Sequence, residues 1–236
     1  MVVGGEGLHV VRHWADRLHE AGLDSFDGLY HASRGRVASR HDRGWIRRVT
    51  LPGGEVVFVK CDAFSTVKQI AMDLLRGRRP EPLSEKYRQG IARVRALGIA
   101  APQAIAWGQR RRLGLPWRGV LMMTRLPGRA LKEYLAANPE PEARRSVLAS
   151  VGRALRALYG ARLSWPDLRA KHVYVDEGER IGLMDLDRLE PCRNVRRRMP
   201  AQLRRFCREL REFGADEGEL AAMMEALEHP HVVDPG

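Results

Sequence analysis

The sequence predicts an α+β fold in two lobes, a small antiparallel-sheet lobe followed by a mostly helical one. Three observations predict it. β-branched runs separated by turn residues occupy Arg36 to Lys60. Apolar residues at helical spacing dominate from Pro141 to Leu227. Between these regions the apolar run Val120-Leu121-Met122-Met123 gives way to Thr124 to Gly128, where the lobes are expected to meet. A single domain over 1–236, its first lobe in 1–124 and its second in 125–236, is long enough to bury a sizeable core. No internal repeat or long low-complexity linker interrupts it.

Taken in order, the glycine-rich first residues read as loose, and Val10, Val11, Trp14 and Leu18 as an amphipathic helix ending near Gly22. Arg36 to Arg40, Trp45 to Leu51 and Glu55 to Lys60 read as three strands, the last entered through the tight-turn residues Pro52-Gly53-Gly54. The loop His41-Asp42-Arg43-Gly44 contains one glycine, which would let backbone approach a phosphate, but no G-x-G-x-x-G. Lys60, at the end of the third strand, could reach phosphates as a point charge. Ile91, Val94 and Leu97 mark a helix stopped by Gly98. Pro141 to Tyr159 is a helix with Val147, Leu148, Val151, Leu155 and Leu158 on one face. Helices near Ala201–Phe213 and Glu217–Leu227 follow, with Met223, Met224 and Leu227 read as core, and His229 to Gly236 as a loose end.

The most informative stretch runs Ser164-Trp165-Pro166-Asp167-Leu168-Arg169-Ala170-Lys171-His172, then Ile181-Gly182-Leu183-Met184-Asp185-Leu186-Asp187-Arg188. Val173-Tyr174-Val175 and the apolar run from Ile181 flank Asp176 to Arg180, which reads as a β-hairpin. That hairpin can bring Asp167, His172 and Asp185 around one cleft. Kinase-type phosphoryl transfer needs one carboxylate at the acceptor hydroxyl and two ligands for the Mg²⁺ that bridges nucleotide phosphates. Taken singly, Asp167 reads as a turn cap, Asp185 as surface charge and Lys60 as a solvated strand end. Their joint order, Lys60 before Asp167, His172 and Asp185, selects the phosphotransferase reading.

On these residues the chain resembles the lipopolysaccharide kinase family, which includes heptose kinases and Kdo kinases, over roughly Arg36 to Leu210. Arg40, Gly44, Gly54, Phe58 and Lys60 keep the family's spacings, and Gly98-Ile99-Ala100-Ala101-Pro102 resembles its G-I-P-T-P turn. Leu158, Ala161, Asp167 and Leu168 match its L-H-x-A-G-x-x-H-x-D-L run. His172 stands where the heptose-kinase branch carries histidine, and Asp185 to Arg188 resembles its D-F-D-R or D-L-H-R. The resemblance implies a protein-kinase-like fold, ATP and Mg²⁺ as cofactors, and a sugar hydroxyl of lipopolysaccharide core or a related anionic glycolipid as acceptor. It implies Asp167 as the catalytic carboxylate, His172 and Asp185 as metal ligands, and Lys60 and Gly44 near the phosphates. Met123 would lie in the connector strand whose backbone contacts adenine.

Three positions depart from the pattern. Tyr159 and Trp165 replace histidines, the second of which normally braces the catalytic loop. Tyr87 falls where the family's helix glutamate pairs with the strand lysine. Glu85 is the nearest acid, but two residues earlier is roughly 200° around a helix. Either that helix begins irregularly and Glu85 substitutes, or Lys60 lacks its usual partner.

A net charge of +12 calls for an anionic partner. Arginines cluster at Arg76/Arg78/Arg79, Arg110/Arg111/Arg112, Arg193/Arg196/Arg197/Arg198 and Arg204/Arg205/Arg208. Acidic lipid or a phosphorylated saccharide suits them, nucleic acid is a second partner class, and plain solvation a third reading. No basic-aromatic interleaving of the RNA-recognition type occurs. No apolar window approaches the roughly 18 residues of a membrane span, and the N-terminus lacks a signal pattern. Cys61, Cys192 and Cys207 lack metal-ligand spacing and read as reduced thiols. The expected location is the cytoplasm, peripherally on the inner face of its membrane. Rival readings are an aminoglycoside-type phosphotransferase, which usually has asparagine after the catalytic aspartate, and a non-catalytic module on membrane or nucleic acid. A protein kinase is disfavoured, since no A-P-E-like segment follows Asp185.

Overall fold

Seven strands pair antiparallel into one sheet, in the order β1 (Val2–Gly5), β2 (Leu8–Val11), β6 (Ala104–Arg112), β7 (Leu115–Thr124), β5 (Val56–Asp62), β4 (Gly44–Thr50) and β3 (Arg36–His41). The helices among them are α1 (Ala15–Glu20), α2 (Phe26–Tyr30), α3 (Val67–Leu75) and α4 (Leu83–Ala96). This computed structural model describes residues 2–5, 7–31, 36–41, 44–62, 67–75, 77–137 and 140–228. It divides into two compact units, Met1–Ile91 with Pro102–Arg125, and Ala92–Ala101 with Leu126–Gly236.

Alternation along β5 organises the first unit. Val57, Val59 and Cys61 point to one face and are fully buried against Val49, Ile105, Val120 and Met122, with Trp14, Leu18, Phe26 and Leu29 closing the cluster. Lys60 and Asp62 take the opposite parity, and the Asp62 carboxylate accepts the Ser84 N–H at the start of α4. A carboxylate suits that end of a helix, where amide hydrogens lack intrahelical acceptors. Burial, with the Asp62 charge beside it, pushes the Cys61 thiol up to about 12, so it stays protonated. All three cysteines are free.

The three strands expected between Arg36 and Lys60 form, with ends shifted by a residue or two. The N-terminal helix is shorter than expected. Val10 and Val11 belong to β2, and the preceding residues pair with it as β1. Leu8 and Val10 are buried while His9 between them is exposed, a period of two that β-branched valines favour. Only Trp14 and Leu18, four residues apart, follow the helical period.

The second unit contains β8 (Arg129–Ala130), α5 (Leu131–Ala136), α6 (Pro141–Gly160), β9 (Leu163–Ser164), β10 (Val173–Val175), β11 (Ile181–Leu183), β12 (Glu190–Pro191), α7 (Val195–Glu212) and α8 (Glu217–Glu228). β11, β10 and β8 form one small sheet, and β12 pairs with β9. The five apolar positions expected on one face of α6 are all buried, as are Met223 and Leu227 of α8, while Met224 is half-buried. The turn after α4 clusters with this unit and not with the preceding sequence, because the Leu183 N–H donates to the Ala100 carbonyl at 2.8 Å and Arg93 to the Leu189 carbonyl at 3.1 Å. Among the described residues, no helix is long and apolar enough to cross a membrane.

Gly152 sets the approach of α6 to α8, since a Cβ there would collide with the Met223 carbonyl oxygen. Gly152→Ala should gain about 1 kcal/mol of helix propensity yet lose more, since overpacking costs about 1–3 kcal/mol and the obstacle is backbone. A thermal midpoint lower by a few degrees is expected in calorimetry. A rise would mean that the two helices are not in contact at this glycine.

Candidate active site

In the second unit, hairpin register brings the candidate site residues together. Val173 pairs with Leu183, Tyr174 with Gly182 and Val175 with Ile181. The Asp176 carboxylate closes the turn, accepting from the Gly178 and Arg180 amides at 3.0 and 2.9 Å and from the Arg180 guanidinium at 2.8 Å. These bonds, that from the Arg180 amide foremost, hold its pKa below the usual carboxylate range. Their contribution is therefore present at neutral pH and lost as pH falls through the lowered value. At the open end, the Met184 N–H donates to the His172 carbonyl at 2.9 Å, so His172 and Asp185 flank the last bond of the ladder.

His172 has a partner at each ring nitrogen. Nδ1 lies 2.8 Å from the Asp167 carbonyl oxygen, and Nε2 lies 3.3 Å from Asp185 Oδ2. A carbonyl oxygen can only accept, so Nδ1 carries the proton. In the neutral ring the Nε2 lone pair then faces a carboxylate. A cation between the two would be attracted by both. The separation is close to the roughly 3 Å between adjacent ligands of a six-coordinate Mg²⁺ at about 2.1 Å, so the pair fits that ion. Among the described residues no group of three or more His, Cys, Asp or Glu is arranged to hold a metal. Mg²⁺ is commonly held by one or two protein ligands plus substrate phosphates.

Asp185 has φ 57°, a left-handed conformation that aspartate tolerates better than most side chains. Its carbonyl oxygen accepts from the Trp165 indole N–H at 3.3 Å, and that ring is fully buried. Trp165 therefore braces the loop where the resemblance expects histidine. Turns close at Leu168 N–H to the Trp165 carbonyl and His172 N–H to the Arg169 carbonyl. From α7, Arg205 donates to the Pro166 carbonyl and Glu209 pairs with Arg169 at 3.0 Å.

The Asp167 carboxylate faces Arg188, whose guanidinium nitrogen lies 3.2 and 3.4 Å from its two oxygens. Sequence reasoning gave no role at this site to Arg188, Arg205 or Glu209. Arg188 was visible as the last residue of the D-L-D-R run, whereas Arg205 read as surface charge.

In the first unit Lys60 is 4% exposed, and its ammonium lies 4.9 Å from the centroid of the Tyr87 ring. Tyr87, at the expected glutamate position, thus meets the lysine with a ring face, a cation–π contact. Glu85 does not substitute. Its carboxylate is engaged by Arg88, at 2.8 and 2.6 Å, and by Gln89 at 3.1 Å. The irregular helix start that would have turned Glu85 towards Lys60 does not occur, and the 200° separation stands. Gly44 opens β4 opposite Asp62, and a Cβ there would overlap the Cys61 carbonyl oxygen, so sheet packing already requires glycine. Asp42 and Arg43 of the expected phosphate loop lie outside the described residues. Met123 is buried within the sheet, paired with Phe58 on one side and Ala104 on the other.

A model of the lipopolysaccharide kinase (Kdo/WaaP) family matches residues 30–226. No curated protein was found to match. Among solved structures, WaaP in complex with acyl carrier protein is 17% identical with a TM-score of 0.71, covering 96% of this chain and 88% of that one. A crystal structure of WbdD is 19% identical with a TM-score of 0.50, covering 80% of this chain and 43% of that one. At such identities the likeness is one of fold, an α+β fold of the kinase type.

Trp165→Phe tests the brace, because it keeps an aromatic ring while removing the only donor of the indole. The Asp185 carbonyl would lose its bond and the buried site three ring atoms, so stability should fall by at least about 1 kcal/mol in chemical denaturation. Unchanged stability would show that the 3.3 Å contact carries no energy.

Proposed function

The chain belongs to the lipopolysaccharide kinase (Kdo/WaaP) family, and from that premise we propose that it transfers the γ-phosphoryl group of Mg-ATP to a sugar hydroxyl of lipopolysaccharide core or a related anionic glycolipid. The observation that carries the ATP and Mg²⁺ part is the His172–Asp185 pair, with an imidazole lone pair turned towards a carboxylate at 3.3 Å. These two side chains would hold Mg²⁺, which when bound neutralises phosphate charge.

Asp167 would orient the acceptor hydroxyl through its carboxylate oxygens. As the bond from the hydroxyl oxygen to the γ-phosphorus forms and the bond from that phosphorus to the β,γ-bridging oxygen breaks, the hydroxyl proton would pass to Asp167 and ADP would leave. Arg188, 3.2 Å away, would hold the Asp167 carboxylate in one orientation. Lys60 would bind phosphate oxygens of the nucleotide, with the Tyr87 ring face keeping the ammonium in place. The end of the strand carrying Met123 is the proposed adenine contact. Little covalent chemistry is asked of these residues, and positioning and charge supply the rate. A phosphorylated saccharide acceptor suits the arginine-rich surface, and the work would be done at the inner face of the cytoplasmic membrane.

Asp185→Ala should abolish Mg-dependent stabilisation by ATP in a thermal-shift assay, because it removes the carboxylate oxygen, the donor type this ion prefers, and leaves only an imidazole. Equal shifts for wild type and variant would remove Asp185 from the metal site. Asp167→Asn separates binding from chemistry. It should keep ATP affinity within a few-fold while phosphoryl transfer to a lipopolysaccharide extract falls by roughly two orders of magnitude or more, the scale of general-base loss. Full turnover in that variant would sink the assignment.

A further inference from the structure

All the large apolar side chains exposed among the described residues lie in the first unit, and three of them, Leu113, Leu115 and Trp117, sit at one end of the β6–β7 hairpin. Leu113 is 96% exposed and Trp117 44%. The turn is a two-residue connection, Arg112 pairing with Leu115 across Leu113-Gly114. Both turn residues have positive φ, 51° and 77°. A hairpin turn of this kind favours Asn-Gly or Asp-Gly, since a branched side chain is strained at positive φ. Here leucine takes that first position. It is a place where folding favours a small polar residue and solvation disfavours an apolar one, so an occupant outside the fold has to account for it.

The base of the hairpin is held firmly. Arg111 donates to the Gly114 carbonyl at 2.8 Å and to the Pro80 carbonyl at 2.9 Å, and pairs with Glu81 at 3.0 Å. Arg110 pairs with Asp27 at 2.7 Å, and the Arg118 guanidinium stacks on Tyr30. Arg112 lies over the Trp117 ring, 5.8 Å from its centroid. Pro80 and Glu81 also follow the end of α3, where Leu74 and Leu75 are exposed and where Arg78 and Arg79 are exposed beside them. An apolar tip with a tryptophan behind it and arginines around it matches the order of a bilayer surface, with acyl chains, interface and anionic headgroups in sequence. A protein partner would need a broad complementary surface of about 800 Å², which a two-residue tip does not offer. The arginines of α7 have no exposed large apolar neighbour among the described residues.

We propose that the β6–β7 hairpin is a membrane-docking element, Leu113 and Trp117 entering the interface of an anionic bilayer while Arg112 and the neighbouring arginines bind its headgroups. The inference stands on the hairpin and goes beyond the kinase reading. Vesicle binding is measured without nucleotide, so the two fail separately.

The test is co-flotation of the full chain with vesicles of phosphatidylcholine and phosphatidylglycerol, against phosphatidylcholine alone, at low and high salt. Wild type should float with the anionic vesicles and less so at high salt. Leu113→Asn should bind about tenfold more weakly or less, the scale of one leucine withdrawn from an apolar phase. Its thermal midpoint should be equal or higher, because Asn-Gly suits the turn. Trp117→Ser, on a half-exposed ring, should lose binding likewise and guards against a turn-specific artefact. Wild-type affinity in both variants, or no flotation of the wild type, would overturn the proposal. So would binding that Arg196, Arg197 and Arg198→Glu abolish while Leu113→Asn leaves it whole, which would assign docking to α7. Tight binding to an RNA duplex with no preference for acidic vesicles would overturn it as well.

Discussion

The amide of Met184, donating to the His172 carbonyl at 2.9 Å, extends the β10–β11 ladder past its last paired residues, and the placement of His172 beside Asp185 hangs from it. A slip of one residue in that register would turn every side chain of one strand to the other face, carrying His172 away from Asp185. Register is protected at both ends. Asp176 ties the turn to two amides and a guanidinium, and the Trp165 indole holds the Asp185 carbonyl while its ring fills the core. The left-handed backbone of Asp185 is thus kept by packing and by bonds on either side, the condition under which a strained residue persists at a functional position.

In the first unit the same logic operates through the parity of one strand. Alternate residues of β5 build the core, and the others, Lys60 and Asp62, meet α4 through an aromatic ring and through the amide of Ser84. The Tyr87 ring, at the helix position where the resemblance expects glutamate, attracts the Lys60 ammonium with its quadrupole.

The net charge of +12 resolves into two populations. Some arginines are structural, such as Arg88 on Glu85, Arg144 on Glu219, Arg169 on Glu209, and Arg205 on the Pro166 carbonyl. Exposed pairs among these contribute little to stability by themselves. Their value lies in position, as with Arg205 and Glu209, which fasten the loop carrying Asp167 to α7. The remaining arginines form surface, and among the described residues those around the β6–β7 hairpin stand beside exposed apolar side chains while those of α7 do not.

By itself the sequence determined the order Lys60, Asp167, His172, Asp185, the strands β3 to β5, the β10–β11 hairpin and the helices α6 to α8. Each is announced by signals a few residues apart, namely turn chemistry, a period of two or a period of 3.6. It also pointed at Tyr87 and Trp165 as departures without saying what they do. The tertiary structure decided that the tyrosine ring receives the lysine, that Glu85 is spent on Arg88, that the indole braces Asp185, that Arg188 faces Asp167, and that Val10 and Val11 form a strand. All of these depend on partners that local pattern does not specify, some one helical turn away and others 20 or more residues distant. A side chain's neighbours across a sheet or a helix face are set by register and packing, and those exist only once the chain has folded.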